Sequence, residues 1–475
     1  MTQHNAISSP HTDETTLRHG HASLFSVTIL GLSAQQIGPG VALAGGYMIV
    51  YAGEASWVSM LIALLGACAI GAIVTTFSRR LVATGGLMSY VAAVLGPYAR
   101  ALVGAGYIVG ILIAVAAVVT GVVIFSSSFL VQIGLVWAAT PVGQALSAVI
   151  IAVVAGAIAY RGLDASVKAS AVLSFIGIPF VIWVTVAAAG ATEGYSLAPQ
   201  FDFGSEAMSW DSILQGTLVA LAYFVGFEGL SAMAGETRDP KRNVPRLVLW
   251  LLGVTGSAYI LTLWFQIPSL GAGLEQLAAG ESPAAVLAHI GGVGYLAAPL
   301  DLLLAAATFA GLIATFNYGS RIVATAASAG LLPKRLSRIH KRHRSPSAAV
   351  FFMTFVAAGV PITLQLVSSA PPLESSVYLY TLFSYCYLLP YVVGAVAAVV
   401  LVVREGRPNP ILVATFILGG AACAYVLYYA LTAAGDGIFG ALPWIALVLT
   451  VAAFVAFVVA HKRRPAGDDE LADLL

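Results

Sequence analysis

Long apolar runs separated by short polar stretches make up almost the whole chain. A run of about 20 apolar residues can cross the hydrocarbon of a bilayer as a helix. About twelve runs reach this length, and we number them spans 1 to 12: residues 23–50, 55–77, 90–127, 141–160, 166–189, 212–236, 246–268, 292–325, 347–368, 376–403, 409–434 and 440–461. The pattern therefore predicts an all-α polytopic membrane protein with about 12 transmembrane helices.

The positions of the basic residues indicate an orientation, because short cytoplasmic loops retain Lys and Arg. If the N-terminus is inside, all 22 Lys and Arg residues fall at or near the cytoplasmic side, and the outer loops carry only acidic charges such as Glu193 and Glu281. We therefore expect a multi-pass protein of the plasma (cell inner) membrane with cytoplasmic tails at 1–22 and 462–475. Retention explains the basic loops without a nucleic-acid partner or a lipid-headgroup site.

Composition supports this class, since 59% of the residues are hydrophobic, 9% are charged and the mean hydropathy is +0.93. The three cysteines lie inside apolar spans, where packing explains them better than a disulfide or a metal site. His340 and His343 flank a basic loop without acidic or thiol companions, so no metal site is predicted. No phosphate-binding loop, nucleophile elbow or zinc motif occurs, so we predict neither an enzyme with catalytic residues nor a cofactor.

Span 6 carries a charged residue where hydrocarbon is expected. Glu228 follows Val225, Gly226 and Phe227 and precedes Gly229. Hydrocarbon solvates neither a carboxylate nor an opened backbone, so such residues usually mark a functional site. The alternative is a helix kinked by glycine, with Glu228 neutralised by a neighbour.

Span 1 contains a second interruption, at residues 35–41. Pro39 removes a backbone donor, and Gly38 and Gly40 tolerate the unwound geometry that results. The two breaks occupy the first position of successive five-helix blocks, which is the pattern of inverted repeats that meet at a binding site in mid-membrane. A packing kink in a glycine-rich bundle is the alternative for span 1.

Motifs along spans 1 to 10 resemble, in order, those of the amino acid, polyamine and organocation (APC) transporters. The motifs are Gly38-Pro39-Gly40-Val41, Thr84-Gly85-Gly86-Leu87-Met88-Ser89-Tyr90, Leu95-Gly96-Pro97, Phe224-Val225-Gly226-Phe227-Glu228, Asp239-Pro240-Lys241-Arg242-Asn243-Val244-Pro245-Arg246, and Ser320-Arg321 with Gly330-Leu331-Leu332-Pro333. Their layout is most similar to that of bacterial amino acid permeases and antiporters. Each motif alone is weak, and the ordered set is specific.

This resemblance implies a LeuT-like fold: a ten-helix core at 23–403 built as a 5+5 inverted repeat with broken helices 1 and 6, and peripheral helices 11 and 12 at 404–461. It also implies alternating access to a central site for a small molecule. The substrate carboxylate would lie on the backbone of Ile37, Gly38, Pro39, Gly40 and Val41, and the amine near carbonyls of Phe224, Val225, Gly226 and Phe227. Alignment with the arginine/agmatine antiporter branch adds Tyr107 and Tyr391 to the site, although composition alone favours packing tyrosines.

Three positions depart from the family pattern. The tryptophan six residues before the carboxylate is Ala222 here, so the aromatic gate is missing or is supplied by Tyr223 or Phe224. The lysine that many sodium-independent members carry in mid helix 5 is absent from that position, with Lys168 only at the start of span 5. Pro39 replaces a small polar residue and removes one N–H from the carboxylate cradle.

Three carboxylates are candidates for coupling or gating. Glu228 could exchange protons as access alternates, or it could only brace the broken helix against Tyr107 or Tyr391. Glu236 lies beside basic residues, where either an inner-gate ion pair or a solvated surface pair fits. Asp301 could be a proton or cation site, and a carboxylate in an outer vestibule is the simpler interpretation.

The sequence therefore predicts a secondary active transporter for an amino acid or a related amine, with possible proton coupling and no predicted oligomeric state. A polyamine or organocation carrier, or an amine exchanger of the same fold, is the first alternative. A channel-like protein would need a ring of filter residues around a continuous pore. A non-transporting sensor of the same fold is the last alternative.

Overall fold

A computed structural model describes residues 35–81, 86–162, 175–228, 237–340, 342–368, 372–406, 408–433 and 437–462, together with Phe25, Thr28, Gly31, Leu32, Ala370 and Gly435. Within these residues the chain forms α-helices joined by turns and short 3-10 segments, without a β-strand. The helices are α1 (Ile37–Ala52), α2 (Ser56–Ser78), α3 (Leu87–Leu95), α4 (Pro97–Gln132), α5 (Pro141–Tyr160), α6 (Gly177–Ala191), α7 (Trp210–Ala220), α8 (Pro240–Leu270), α9 (Leu274–Ala278), α10 (Pro283–Ile290), α11 (Ala297–Ser328), α12 (Ser347–Ser368), α13 (Pro372–Arg404), α14 (Pro410–Ala433) and α15 (Gly437–Lys462).

Nine stretches of the described chain are long and apolar enough to cross a membrane. One of them, residues 37–78, contains both α1 and α2 and so covers most of spans 1 and 2. Spans 5 and 6 are seen only in part, as α6 and α7, because residues 163–174 and 229–236 lie outside the described residues. The all-α, multi-pass architecture is therefore confirmed, and the count of twelve and the inverted repeat stay predictions.

Helix α4 lies at the centre of the bundle. It is 36 residues long, 89% of its most apolar stretch is buried, and it packs along α11 and α13. Glycine permits the closest crossing, because a Cβ atom at Gly106 would lie 2.5 Å from the carbonyl oxygen of Cys386. At Gly110 it would lie 2.2 Å from the ring of Tyr387. Small residues therefore bring the backbones of α4 and α13 together, as in other membrane bundles.

Helices α12, α14 and α15 lie at the periphery. Only 28%, 22% and 28% of their most apolar stretches are buried, respectively. Large apolar side chains point outward from two of these helices, with 79% of Phe351 and 77% of Ile411 exposed. Lipid is as apolar as these side chains, so this exposure suits a surface that faces the bilayer. The interior of the bundle is therefore formed by the more buried helices.

Candidate functional site

The break in span 1 lies immediately before α1. Gln36 adopts a left-handed backbone (φ 50°), and the helix begins at Ile37. Pro39 is the third residue of the helix, where its missing N–H would have no partner within the helix in any case. The break therefore falls at Gln35 and Gln36, and Gly38-Pro39-Gly40 forms the first helical turn rather than an unwound segment. The N–H groups of Ile37 and Gly38 have no partner inside the helix.

The break in span 6 follows α7. A 3-10 turn at Leu221–Tyr223 succeeds the helix, and residues 224–226 form a turn that is not helical. Gly226 has φ 90°, a conformation that side chains with a Cβ rarely adopt. The predicted break beside Gly226 is therefore present in the structure.

Between these two breaks lies a cavity of about 70 Å³, which we call the central cavity. Hydroxyl-bearing and amide side chains line it together with small apolar ones, and the described residues that line it include no charged side chain. Its polar members are Gln35, Gln36, Tyr47, Tyr223, Tyr259, Thr315, Tyr318, Tyr380 and Thr381. The cavity is therefore polar but electrically neutral.

Hydrogen bonds and ring contacts hold these tyrosines in place. The Tyr259 hydroxyl donates to the carbonyl of Gln35 at 3.0 Å, and the Tyr47 hydroxyl donates to Ser376 at 2.9 Å. The ring of Tyr223 packs edge-on against Tyr259, with centroids 5.0 Å apart. The buried hydroxyl of Tyr223 has no hydrogen-bond partner among the described residues. Because buried polar groups are normally bonded, this hydroxyl is a candidate contact for a substrate.

Gly40 is the point where α1 approaches the tyrosine cluster most closely. A Cβ atom at this position would lie 2.5 Å from the hydroxyl oxygen of Tyr259. Any side chain here would therefore displace Tyr259, which lines the central cavity. Glycine at this position therefore leaves room for the tyrosine beside the cavity.

Glu228 lies behind the central cavity and is fully buried. Its two carboxylate oxygens accept hydrogen bonds from the hydroxyls of Tyr107 and Tyr391, each at 2.7 Å. The Tyr391 hydroxyl also accepts a bond from the N–H of Gly226 at 3.1 Å. The carboxylate thus connects α4, α13 and the broken part of span 6, as the bracing alternative predicts.

The structure divides the predicted site residues into two groups. Four of them line the central cavity: Gly40, Ala222, Tyr223 and Val225. Outside that lining are Ile37, Gly38, Pro39, Val41, Phe224, Gly226, Phe227, Tyr107 and Tyr391. Phe224, Phe227 and Tyr391 instead line a neighbouring apolar cavity of about 50 Å³, and Val225 borders both cavities. Tyr107 and Tyr391 therefore contact the carboxylate and not the central cavity.

The remaining predictions concern Asp301 and Glu236. Asp301 is fully buried and accepts hydrogen bonds from Ser282 at 2.5 Å and from Gln132 at 2.8 Å. The side chain is enclosed by its donors, and its role, as a proton or cation site or as a carboxylate of an outer vestibule, stays a prediction. Glu236 lies outside the described residues, and its gating role stays a prediction.

Sequence reasoning missed most of the cavity's aromatic lining. Tyr47, Tyr259, Tyr318, Tyr380 and Phe383 all line the central cavity without having been singled out. All five lie in apolar spans, where an aromatic side chain is usually an interface or packing residue. The pair Gln35-Gln36 was the available signal, since two amides beside a break are unusual in a membrane span.

Comparison with known proteins identifies related sequences over nearly the whole chain. The family model described as amino acid permease matches residues 23–459. An uncharacterized transporter of Mycobacterium tuberculosis (strain ATCC 25618 / H37Rv) is 25% identical over 417 residues, 88% of each chain. A branched-chain amino acid permease of Bacillus subtilis (strain 168) is 24% identical over 400 residues, 81% of each chain. A methylthioribose transporter of the same organism is 25% identical over 71% of this chain and 74% of the relative.

Proposed function

The chain belongs to the amino acid permease family, and on that premise we propose that it carries a small, electrically neutral α-amino acid through the central cavity by alternating access. Family membership and the transporter names of its relatives support a transporter rather than an enzyme. The single observation that carries the choice of substrate is the uncharged lining of a cavity between two broken membrane segments.

The backbone at the two breaks would recognise the groups that all α-amino acids share. The central cavity meets the break before α1 at Gln35, Gln36 and Gly40, where the positive end of the helix dipole favours a carboxylate. The carbonyl of Val225, the residue of the turn that lines the cavity, would accept a hydrogen bond from the ammonium. The buried hydroxyl of Tyr223 would supply a further polar contact.

The lining and the volume argue for a small neutral side chain. A polyamine, or any substrate with a second ammonium group, would need a carboxylate in the lining to offset the free-energy cost of removing that charge from water. The described lining contains no carboxylate. A cavity of about 70 Å³ has room for about two water molecules, each of which takes about 30 Å³ in the liquid, and this small size suits a substrate with few non-hydrogen atoms. The branched-chain amino acid permease of Bacillus subtilis supports the same class. Because another relative is a methylthioribose transporter, a thiosugar should be tested together with the amino acids.

Orientation, membrane and organisation complete the proposal. The distribution of Lys and Arg supports a protein of the cell inner membrane with both termini cytoplasmic. The low burial of α14 and α15 supports two peripheral helices at 404–461 beside a core at 23–403, in which α12 is an equally exposed outer helix. Proton coupling at Glu228 is part of the proposal because its carboxylate connects three segments beside a break.

Counterflow in proteoliposomes tests the proposal directly. Vesicles preloaded with one small neutral amino acid at a time should accumulate labelled external substrate with saturable kinetics, while putrescine and methylthioribose compete poorly. Flux that rises linearly with concentration would indicate a channel, and binding without flux would indicate a sensor. Accumulation driven by putrescine would establish the polyamine alternative.

Gly40→Leu provides the matched variant for this assay. We expect it to abolish uptake while leaving membrane insertion intact, because the side chain would occupy the space beside Tyr259. Gly253→Leu is the control. Gly253 lies on the same helix as Tyr259, and a Cβ atom at this position would meet no atom within 4 Å. Normal uptake by Gly40→Leu would remove α1 from the substrate path.

A further inference from the structure

A second polar cavity, of about 480 Å³, shares no lining residue with the central cavity. It lies where the end of α4 and the start of α5 meet the segment between α9 and α10. We call it the side cavity and define it by Ser127, Gln132, Gln144, Glu281 and His289. Its size falls in the range of small-molecule sites, about 300–1,000 Å³.

Three residues that line this cavity each carry a buried polar atom without a hydrogen-bond partner among the residues that the structure describes: Gln144 Oε1, Ser127 Oγ and Glu281 Oε2. Gln144 is 8% exposed and Ser127 is 6% exposed. The Gln144 amide nitrogen donates to the carbonyl of Ala139 at 3.0 Å, which leaves the amide oxygen as the unsatisfied atom. Buried polar atoms in proteins are seldom left in this state, so the cavity is built to meet hydrogen-bond donors.

The charge of the side cavity is negative. Glu281 lines it, and the buried Asp301 lies directly behind Gln132, whose amide nitrogen donates to the carboxylate at 2.8 Å. Neither Lys nor Arg occurs among the described lining residues, and the exposed His289 is the titratable group that faces the acids. A cation with N–H donors would therefore satisfy both the charge and the unpartnered acceptors.

The lining also indicates an organic cation. Apolar side chains such as Ile124, Val131 and Pro141 form much of the wall. A bare metal ion needs oxygen ligands closing in from several sides, and a cavity of about 480 Å³ is far larger than such a cage. A short hydrocarbon chain attached to an ammonium group would use both parts of the wall.

We propose that the side cavity binds a small primary amine as its ammonium form. The ammonium group donates hydrogen bonds to Glu281 and to the amide oxygen of Gln144, and Ser127 accepts the third. The hydrocarbon part lies against the apolar wall. This site shares no lining residue with the central cavity, so its existence does not depend on the substrate bound there.

Calorimetric titration of the purified full chain with propylammonium tests the proposal. Saturable binding is expected, weakened about tenfold by Glu281→Gln, which removes the negative charge, and about fivefold by Ser127→Ala, which removes one hydrogen-bond acceptor. Glu275→Gln is the matched control, because Glu275 is an exposed acid of the same region outside the lining. It should bind like the wild type. Tetramethylammonium, which carries the charge without N–H donors, should bind at least about tenfold more weakly.

Unchanged affinity in both Glu281→Gln and Ser127→Ala would overturn the assignment, as would equal affinity for tetramethylammonium. Sodium binding that these two variants abolish, without propylammonium binding, would also overturn it in favour of a metal ion. If Glu281→Gln fails to fold, Ser127→Ala decides, because it removes a hydroxyl without a described partner. Loss of substrate counterflow alone would overturn the proposed transport function and leave this site standing.

Discussion

Two carboxylates, Glu228 and Asp301, are fully buried inside the same bundle, yet they lie in different kinds of backbone. Glu228 belongs to the broken part of span 6, two residues after a glycine with φ 90°. Asp301 belongs to the first turns of α11, a regular helix of 32 residues. Tyrosines bond the first carboxylate, and Ser282 and Gln132 bond the second.

The difference shows which carboxylate can follow a conformational change. The phenols that bond Glu228 belong to α4 and α13. Any movement of the broken segment must therefore either break these hydrogen bonds or move the two helices with it. The bonds of Asp301 fasten the start of α10 and the end of α4 to a continuous helix. We infer that the segment carrying Glu228 moves relative to α4 and α13, and we call its contact with Tyr107 and Tyr391 the joint. We infer that the contact of Asp301 with Ser282 and Gln132 stays fixed.

Replacement of each acid by alanine should give the largest contrast. Glu228→Ala leaves two buried phenols without their acceptor, which should lower the free energy of unfolding by about 3 kcal/mol. Asp301→Ala should lower it by about half as much, because Gln132 still donates to Ser128 at 3.1 Å and Ser282 still accepts from the N–H of Ala285 at 3.1 Å. Thermal unfolding in detergent measures both, and equal losses would contradict the contrast.

The isosteric amides test the proposed proton coupling. Glu228→Gln keeps the size of the side chain but cannot titrate, so uptake driven by a pH gradient should collapse while substrate binding and exchange survive. It should lower the free energy of unfolding by about 2 kcal/mol, because one phenol would then face an amide N–H. Asp301→Asn is the matched control and should keep gradient-driven uptake. Concentrative uptake by Glu228→Gln with unchanged pH dependence would leave Glu228 as a brace only.

Sequence patterns anticipated the chemistry of this joint better than its geometry. A carboxylate after Gly226 in an apolar span predicted a special site, and the family alignment brought Tyr107 and Tyr391 to it. Which way the two phenols point depends on how α4 packs against α13, and that packing is set by close crossings at Gly106 and Gly110. Such contacts between distant segments leave no local pattern in the sequence.

The central cavity and Asp301 show the same limit. Tyr47, Tyr259 and Tyr380 are separated by long stretches of sequence, and only the folded bundle places them around one space. Asp301 near a helix end suits a solvated position equally well, and its burial depends on Ser282 from a different segment. The breaks, by contrast, were predictable, because glycine and a charge disturb a membrane helix locally.

Removal of single hydroxyls should separate the two phenols of the joint. Tyr391→Phe removes the bond to Glu228 and also leaves the N–H of Gly226 without the hydroxyl it donates to. Tyr107→Phe removes only the described bond to Glu228. Each lost bond costs about 1 kcal/mol, so Tyr391→Phe should be the more destabilising variant and should weaken apparent substrate affinity more. A larger effect from Tyr107→Phe would instead indicate that α4 dominates the joint.

A third carboxylate, Glu405, sets the lower end of this comparison because it lies outside the membrane-spanning segments. Arg80 donates to its two oxygens at 2.6 and 2.7 Å, and these hydrogen bonds lower the pKa of Glu405. A lowered pKa in the folded protein means that the pair stabilises the fold above the unfolded pKa of Glu, about 4.3, and that the contribution is lost as the pH falls through the folded value.

The two side chains are 34% and 40% exposed, so solvent screens the pair. Glu405→Gln should therefore lower the free energy of unfolding at pH 7 by no more than about 0.5 kcal/mol. That difference should shrink in about 1 M salt, where the screening length falls to about 3 Å, while the effects of Glu228 and Asp301 variants persist because their carboxylates are buried. A Glu405→Gln effect as large as that of Glu228→Ala, or one that resists salt, would show that exposure does not rank these three acids.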